Sequence, residues 1–495
     1  MDIAWIVVLF ILGACVGSFL NVVIWRLPRG ESIVFPGSHC PSCGKAIRWY
    51  DNIPLVSWLA LRARCRFCKA PIASRYIIIE AATAVRVAGL FVCYYILNVR
   101  QGAGQFEASW PMFATHAALL CGLLVCSVVD IDDWIVPLEV CWFVSIVGVA
   151  MPAVFPDAYY QPERHYAATS GPWITLVSPE TGAMAVAALV GLVVSLVLVR
   201  RGILTPSFID AQDRPKRDEG LATRDEGKKA GRDKRGPAGE ARGAKKEQRR
   251  AKGKDRKQQG QKETSNNKRP TPNSPLPTPH SPPPTSRILK AVLWPLRVAW
   301  GVISALAFGC VLTAESKITS AAFTEAHGVS PRKEVLREVL FLLPPAALAG
   351  AAYLLVTHVG AIGSAWGYLT DGHRSGAVAS HVNMFLGAAY GYLIGGLVVW
   401  ATRIFGTLAF NKEAMGLGDA HIMASVGAVT GWIVPTVAFF VAPFFALLWA
   451  AYLGVTRRQR ELPYGPWLAL ASIIVMLFYD KFSEMWAFLT VVPGR

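Results

Sequence analysis

A succession of long apolar runs constrains this chain more than any other feature of its sequence. The first run extends from Ile3 to about Trp25, and at about 1.5 Å rise per residue it is long enough to cross a bilayer as one helix. Further runs lie at about 76–97, 112–129, 140–155, 182–200, 291–313, 338–358, 384–403, 421–436, 437–455 and 466–490. With 53% hydrophobic and 17% charged residues, the chain is too apolar for an ordinary soluble protein. The sequence therefore predicts an all-α polytopic integral membrane protein.

Positive charge indicates how these runs cross the membrane. The formal net charge of +17 is concentrated in loops beside the apolar runs and in one long polar stretch, and Lys and Arg mark the cytoplasmic side. The basic loop after the first run is therefore predicted to be cytoplasmic, with the amino terminus outside. Because one run is too many for a consistent topology, we expect 291–313, which Pro295 and Arg297 interrupt, to lie on or partly in the membrane. About ten spans remain; the alternative is that 140–155 or 182–200 does not span.

Four cysteines lie in the first basic loop, as Cys40-Pro-Ser-Cys43 and Cys65-Arg-Phe-Cys68. Two CxxC pairs about twenty residues apart match the spacing at which four thiolates close a tetrahedral zinc site in a domain too small for its own core. Disulfides are the competing interpretation, but a reducing cytoplasm disfavours them. A thioredoxin-like redox site would need one CxxC pair in a βαβ setting. We therefore predict a structural zinc site formed by Cys40, Cys43, Cys65 and Cys68.

A long polar segment from about 201 to 287 differs from the rest of the chain. It begins with a Lys- and Arg-rich stretch and ends with the Pro/Ser/Thr-rich run RPTPNSPLPTPHSPPPTSR. Such a composition cannot bury enough apolar surface to offset its conformational entropy, so we predict a disordered cytoplasmic linker. Its basic charge has two interpretations, a solvated insertion or an electrostatic contact with anionic membrane lipids. We favour the solvated insertion, and binding to nucleic acid ranks third.

Two aspartates at the ends of apolar runs are the candidate catalytic groups. Asp130 ends a run in SVVDIDDWIVP, and Asp419 precedes another in KEAMGLGDAH. Ionisable side chains at a membrane boundary usually face the protein interior or a water-filled cavity, and the predicted topology puts both on the cytoplasmic side. Of two carboxyl groups held close together, one keeps a proton as acid while the other activates water as base. For either aspartate alone, the simpler interpretation is a solvated helix-boundary carboxylate or a cap.

Four blocks of sequence carry a resemblance to a known family. They are GSFLNVVIWRLPRG (17–30), HCPSCGKAIRWYDNIPLVSWLALRARCRFCKAPIASRY (39–76), VDIDDWIVP (129–137) and KEAMGLGDAHIMASVGA (412–428), with a weaker echo in LPYGPWLALA (462–471). In this order they resemble the bacterial type IV prepilin leader peptidases, which are aspartic membrane peptidases. The resemblance implies that Asp130 and Asp419 are the catalytic pair. It also implies supporting roles for Asp132, Gly416 and Gly418.

The resemblance implies a substrate and a location as well. Prepilins and pseudopilins present a short basic leader in the cytoplasm followed by an apolar helix in the bilayer, and the family cleaves them after a glycine at that boundary. A multi-pass protein of the bacterial inner membrane is therefore implied, with its active site facing the cytoplasm and with pilus or type II secretion assembly proteins as further partners. Many family members also methylate the new amino terminus with S-adenosylmethionine. In this chain the second activity and its cofactor rest on the resemblance alone.

The family pattern divides the chain into segments and leaves one of them unexplained. The predicted segments are the first transmembrane helix (1–27), the cytoplasmic tetra-cysteine domain (28–75), transmembrane helices with the first catalytic Asp (76–155), an insertion (156–383) and transmembrane helices with the GxGD motif (384–495). The insertion carries extra apolar runs and the linker. Its two interpretations are a docking surface for a pilus or secretion assembly and an inert addition.

Two alternative functions use the same features. A non-catalytic membrane scaffold would bind partners through the zinc site and the basic linker, but the intact Asp130 and Asp419 argue against it. A proton-coupled transporter would use intramembrane aspartates as proton carriers, but it would need carboxylates deep within the spans and no cysteine domain. The sequence contains no G-x-S-x-G or H-E-x-x-H motif that would indicate a serine or zinc protease. We therefore expect an aspartic endopeptidase.

Overall fold

A computed structural model describes residues 2–159, 173–205, 331–370, 377–456 and 463–490. Within these residues the chain forms helices and connecting loops, with two isolated β-bridges in the cysteine-bearing loop and no strand. The predicted all-α fold is confirmed for this part of the chain. The predicted linker at 201–287, apart from residues 201–205, and the predicted interfacial segment at 291–313 lie outside the described residues.

The helices of the described residues are numbered in chain order. They are α1 (Asp2–Arg26), α2 (Val56–Ala60), α3 (Arg75–Phe91), α4 (Phe106–Asp133), α5 (Leu138–Val154), α6 (Pro156–Tyr159), α7 (Pro179–Arg200), α8 (Pro331–His358), α9 (Gly360–Thr370), α10 (Ala377–Phe410), α11 (Leu417–Thr430), α12 (Ile433–Thr456), α13 (Gly465–Leu477) and α14 (Tyr479–Thr490). A π-helical turn, Val92–Ile96, extends α3. All of these helices belong to one compact unit of the chain.

Seven of the described helices are long and apolar enough to cross a membrane. They are α1, α3 with its π-helical extension, α4, α7, α8, α10 and α12. Two further helices, α5 and α13, are apolar but shorter. The predicted total of about ten spans stays a prediction, because residues 206–330 lie outside the described part of the chain.

Two predicted apolar runs are divided in the structure. The run at 421–436 is interrupted at Gly431, whose φ of 77° separates α11 from α12. The run at 466–490 becomes α13 and α14, with Phe478 between them. At 14 residues, α11 is too short to cross a hydrocarbon core about 30 Å thick.

The short helix α11 lies inside the bundle. Its residues Ala420 and Ile422–Thr430 are buried. A Cβ atom on Gly427 would lie 2.0 Å from the carbonyl oxygen of Gly391 in α10, so only glycine permits this approach of the two backbones. Small residues at such positions are typical of closely packed membrane helices. Contact with neighbouring helices therefore covers most of α11, which carries the GxGD motif at its amino-terminal end.

Two pairs of helices flank this centre. The helices α1 and α3, on either side of the cysteine-bearing loop, are joined by the Asn21 amide, which donates a hydrogen bond to the Tyr76 carbonyl oxygen at 3.1 Å. In the predicted insertion, α7 and α8 are joined by the Ser195 hydroxyl, which donates to the Phe341 carbonyl oxygen at 2.6 Å. The ring of Phe341 also stacks on Trp400 of α10, with centroids 5.7 Å apart. The insertion therefore packs directly against the helix that leads to the GxGD motif.

Candidate active site

Asp130 lies in the last turn of α4. The helix ends because Trp134 adopts a left-handed conformation, with φ 58°, and its N–H donates to the Asp130 carbonyl oxygen at 3.1 Å. The Asp130 side chain is buried, with 8% of the residue exposed. Its Oδ2 atom accepts a hydrogen bond from the backbone N–H of Gly465 at 3.0 Å. The carboxyl group is therefore fixed against the first residue of α13.

Gly465 is a site residue that the sequence did not single out. A Cβ atom at this position would lie 2.7 Å from Asp130 Oδ2 and 3.4 Å from Asp130 Cγ. The absence of a side chain thus allows the backbone to approach the carboxylate. The amino terminus of a helix also presents N–H groups that lack partners within the helix, which suits a negative charge. The only sequence signal was the weak family echo at 462–471, in which the glycine precedes a proline.

Asp419 lies in the first turn of α11, after the extended residue Gly416 at the amino-terminal cap. Two residues of the GxGD motif differ in what they contact. A Cβ atom on Gly418 would lie 2.6 Å from a methyl group of Val136, whereas one on Gly416 would meet its first neighbour, Asp419 Oδ2, at 3.9 Å. Gly418 therefore lets α11 begin directly against the segment that follows Asp130 in the chain. The close contact with Val136 explains why glycine is needed at position 418, and the supporting roles of Gly416 and Gly418 in the reaction stay predictions.

The two aspartates converge at the amino terminus of α13. Burial raises the pKa of Asp419 to about 7, and the negative charge of Asp130 is the second cause of this rise. The positive charge of Arg403 opposes it. Asp419 lies outside the seven candidate spans. Burial and the charge of Asp419 likewise raise the pKa of Tyr464 to about 12. Since Tyr464 precedes the glycine that binds Asp130, both carboxyl groups lie around the same pair of residues.

Asp132 lies apart from this pair. Its carboxylate forms an ion pair with Arg75 at 2.5 Å, and each side chain is 38% exposed. Arg75 is the first residue of α3, so this contact joins the end of α4 to the end of the cysteine-bearing loop. The structure therefore places Asp132 in a partly exposed ion pair, whereas Asp130 is buried.

The four cysteines of the basic loop form a second candidate site. The Sγ atoms of Cys40, Cys43, Cys65 and Cys68 all lie within 4.8 Å of one another. Each CxxC pair sits in the same kind of turn. In the first turn Gly44 N–H donates to the Cys40 carbonyl oxygen at 2.8 Å, and in the second Lys69 N–H donates to that of Cys65 at 3.1 Å. The predicted cluster is thus formed by two turns that present their sulfurs to a common centre.

The geometry of this cluster fits a tetrahedral metal. Zinc–sulfur bonds of about 2.3 Å in a tetrahedron put neighbouring sulfurs about 3.8 Å apart, and the Sγ atoms of Cys40 and Cys68 are 3.8 Å apart. Backbone hydrogen bonds from Cys68 and Phe67 lower the pKa of Cys65 to about 6. A thiolate is the form of cysteine that binds a metal. The cluster could therefore hold a zinc ion.

Parts of the chain match known proteins. Residues 11–94 match the bacterial peptidase A24 N-terminal domain. The chain is 44% identical to the prepilin leader peptidase/N-methyltransferase of Myxococcus xanthus over 146 residues. The matched region covers 29% of this chain and 39% of that relative. These matches support the type IV prepilin peptidase family. The resemblance that four sequence blocks indicated is confirmed.

Two more relatives bear similar names. The prepilin leader peptidase/N-methyltransferase of Pseudomonas aeruginosa is 34% identical over 158 residues, 27% of this chain and 50% of the relative. The type 4 prepilin-like proteins leader peptide-processing enzyme of Escherichia coli is 47% identical over 91 residues, 15% of this chain and 34% of the relative. The chain thus spans half or less of the length of each relative named here. No solved structure shows a significant match.

The prepilin peptidase matches and the seven apolar helices together indicate a multi-pass membrane protein. They favour neither the scaffold nor the transporter. The M. xanthus and P. aeruginosa relatives are named for two activities, leader peptidase and N-methyltransferase.

Proposed function

We propose that this protein is an aspartic endopeptidase that cleaves the basic leader from type IV prepilins or pseudopilins. The observation that carries the proposal is the convergence of Asp130 and Asp419 around Tyr464 and Gly465. Peptide hydrolysis by two carboxyl groups needs one protonated acid and one base within reach of the same peptide bond. The names of the relatives supply the class of substrate.

The two aspartates have different environments, and we assign their roles from these. Asp419, whose pKa is raised to about 7, is still protonated in a large share of molecules at neutral pH, and we assign it the role of the acid. Asp130, oriented by the Gly465 N–H, serves as the base. Asp130 takes a proton from water as the water oxygen attacks the carbonyl carbon, and Asp419 gives its proton to the carbonyl oxygen. Transfer of the proton from Asp130 to the leaving nitrogen then breaks the C–N bond. At the same time Asp419 takes a proton back from one hydroxyl of the tetrahedral intermediate, so the products are a carboxylic acid and an amine, and both aspartates return to their starting forms.

The location of the site supports a substrate that lies partly in the membrane. Asp130 is in the last turn of a candidate span, and Asp419 begins a helix outside the seven spans. A prepilin, with its basic leader in water and its apolar helix in the bilayer, would present the cleavage point at this depth. We propose the cytoplasmic face of the bacterial inner membrane, with membrane lipids and pilus or type II secretion assembly proteins as further partners.

We also propose that zinc occupies the tetra-cysteine cluster as a structural ion. The four sulfurs lie within 4.8 Å of one another, and the loop that carries them has no core of its own. Zinc would tie the two turns together between α1 and α3. N-methylation with S-adenosylmethionine is a proposed second activity, which rests on the names of the relatives.

The test is cleavage of a prepilin from the same genome in membranes that contain the protein. Wild type should shorten the substrate at its glycine junction, whereas Asp130→Asn and Asp419→Asn should leave it intact. Asp133→Asn is the matched control, because it makes the same change in the same last turn of α4 at an exposed residue. Cleavage by either of the first two variants at the wild-type rate would remove that aspartate from the catalytic pair. Proton flux in liposomes without any cleavage would favour the transporter instead.

A further inference from the structure

A buried ion pair joins the predicted insertion to α10. Glu338 of α8 and Arg403 of α10 are each 2% exposed, and Arg403 Nε donates to Glu338 Oε1 at 2.9 Å. The other carboxylate oxygen, Oε2, accepts a hydrogen bond from Trp400 Nε1 at 3.1 Å. Both oxygens of Glu338 therefore have donors, and all of these donors lie on α10.

The same arginine holds the loop before the GxGD motif. Through Nη1, Arg403 donates to the carboxylate of Glu413 and to the carbonyl oxygen of Met415. Both residues lie between the end of α10 at Phe410 and the start of α11 at Leu417. Met415 is only four residues before Asp419 in the sequence. A single guanidinium group thus connects the insertion at one edge with the Asp419 loop at the other.

We propose that Glu338 is a positioning residue for the candidate active site: it fixes the plane of the Arg403 guanidinium, and Arg403 fixes the loop that carries Asp419. This inference rests on the proposed function of Asp419. The N–H donors of a guanidinium are held in one rigid plane, so a partner that orients the donors on one side also orients those on the other side. The donors of a lysine ammonium rotate freely and would not be coupled in this way. The insertion would then be neither inert nor only a docking surface, since one of its helices completes the support of a catalytic loop.

Other contacts keep α8 in place without this ion pair. Phe341 of α8 stacks on Trp400, and its carbonyl oxygen accepts the Ser195 hydroxyl of α7. In the variant Glu338→Gln, Glu413 remains to neutralise Arg403, so the variant avoids the severe penalty of a buried charge without a partner. We therefore expect the Glu338→Gln variant to fold with α8 still packed in place. The Arg403 guanidinium should, however, no longer be held in one orientation.

The experiment measures the loop and the reaction separately. Hydrogen–deuterium exchange of the amides in 411–418 should become about tenfold faster in Glu338→Gln, because the loop loses part of its anchor. For a prepilin peptide, kcat should fall by roughly 10- to 100-fold while KM changes little, because the catalytic acid is misplaced and leader binding is not. In an Arg403→Gln background, Glu338→Gln should lower kcat no further, since Glu338 acts on the reaction through that arginine.

Glu334→Gln is the matched control. Glu334 lies one turn earlier on α8, is equally buried at 2%, and forms an ion pair with Arg337. Wild-type exchange and kcat in Glu338→Gln would overturn the proposal, and so would an equal loss in Glu334→Gln, which would indicate a general effect on α8. If the wild type cleaves no prepilin, the proposed function fails, while the exchange rates of 411–418 still decide whether Glu338 positions the loop.

Discussion

Replacing Gly465 with alanine should slow prepilin cleavage while leaving the protein folded. The added Cβ atom would lie 2.7 Å from Asp130 Oδ2, and ordinary contact begins at 3.4 Å, so the carboxyl group would have to move by about 0.7 Å, the difference between these distances. A displacement of about 1 Å at a reacting group costs about 100-fold in rate. We therefore expect kcat to fall by roughly 10- to 100-fold, with KM nearly unchanged because the leader does not bind through Asp130.

The assay is steady-state cleavage of a purified prepilin by the detergent-solubilised protein, with folding checked by thermal unfolding. Gly396→Ala is the control, since its Cβ atom on α10 would lie 3.4 Å from Ala424 Cβ of α11, in ordinary contact. This variant adds the same methyl group next to the helix of Asp419 and should retain the wild-type rate. A wild-type kcat in Gly465→Ala, or an equal loss in Gly396→Ala, would refute the reasoning that Gly465 sets the position of Asp130.

Three further predictions concern pH, metal and the third aspartate. Because Asp419 has a pKa raised to about 7 and acts in its protonated form, kcat should fall as the pH rises through about 7, as a pH–rate profile would reveal. The double variant Cys40→Ser and Cys43→Ser should lose bound zinc, measured by elemental analysis, and the loop between α1 and α3 should become more susceptible to protease. Asp132→Asn breaks a half-exposed ion pair with Arg75, so it should lower the unfolding free energy by about 1 kcal/mol or less and change kcat only a few-fold.

Each of these three expectations has a result that contradicts it. A rate that rises steadily above neutral pH would mean that Asp419 works in its ionised form. Equal zinc content in wild type and the double cysteine variant would exclude these cysteines as ligands. Complete loss of cleavage in Asp132→Asn, with the protein still folded, would put Asp132 in the reaction itself.

The sequence predicted the elements that depend on local patterns. The CxxC pairs and the two aspartate motifs each occupy a few consecutive residues, and the turns around Cys40 and Cys65 follow from that local spacing. The apolar runs likewise predicted most of the long helices. Apolarity alone, however, does not distinguish a helix surrounded by lipid from one surrounded by protein, so the run at 421–436 gave no sign that α11 would end at Thr430 inside the bundle.

The contacts that complete the site could not be predicted, because they join residues far apart in the chain. The hydrogen bond between Gly465 and Asp130 spans 335 positions, and that between Arg403 and Glu338 spans 65. Neither glycine nor an arginine in an apolar run has a pattern that identifies its partner. Glu338 was additionally assigned to an insertion that no part of the family resemblance explained.

The enclosure of α11 by other helices has a consequence for how the protein responds to its membrane. A helix exposed to lipid tilts or shifts when the thickness of the hydrocarbon core changes. Because α11 is buried from Ile422 to Thr430, its depth is set by packing against α5 and α10 and is insulated from such changes. A substrate helix that is surrounded by lipid does shift with the thickness of the bilayer. Thinner or thicker membranes should therefore move the scissile bond relative to Asp419, so that lipid chain length would select where a substrate is cut.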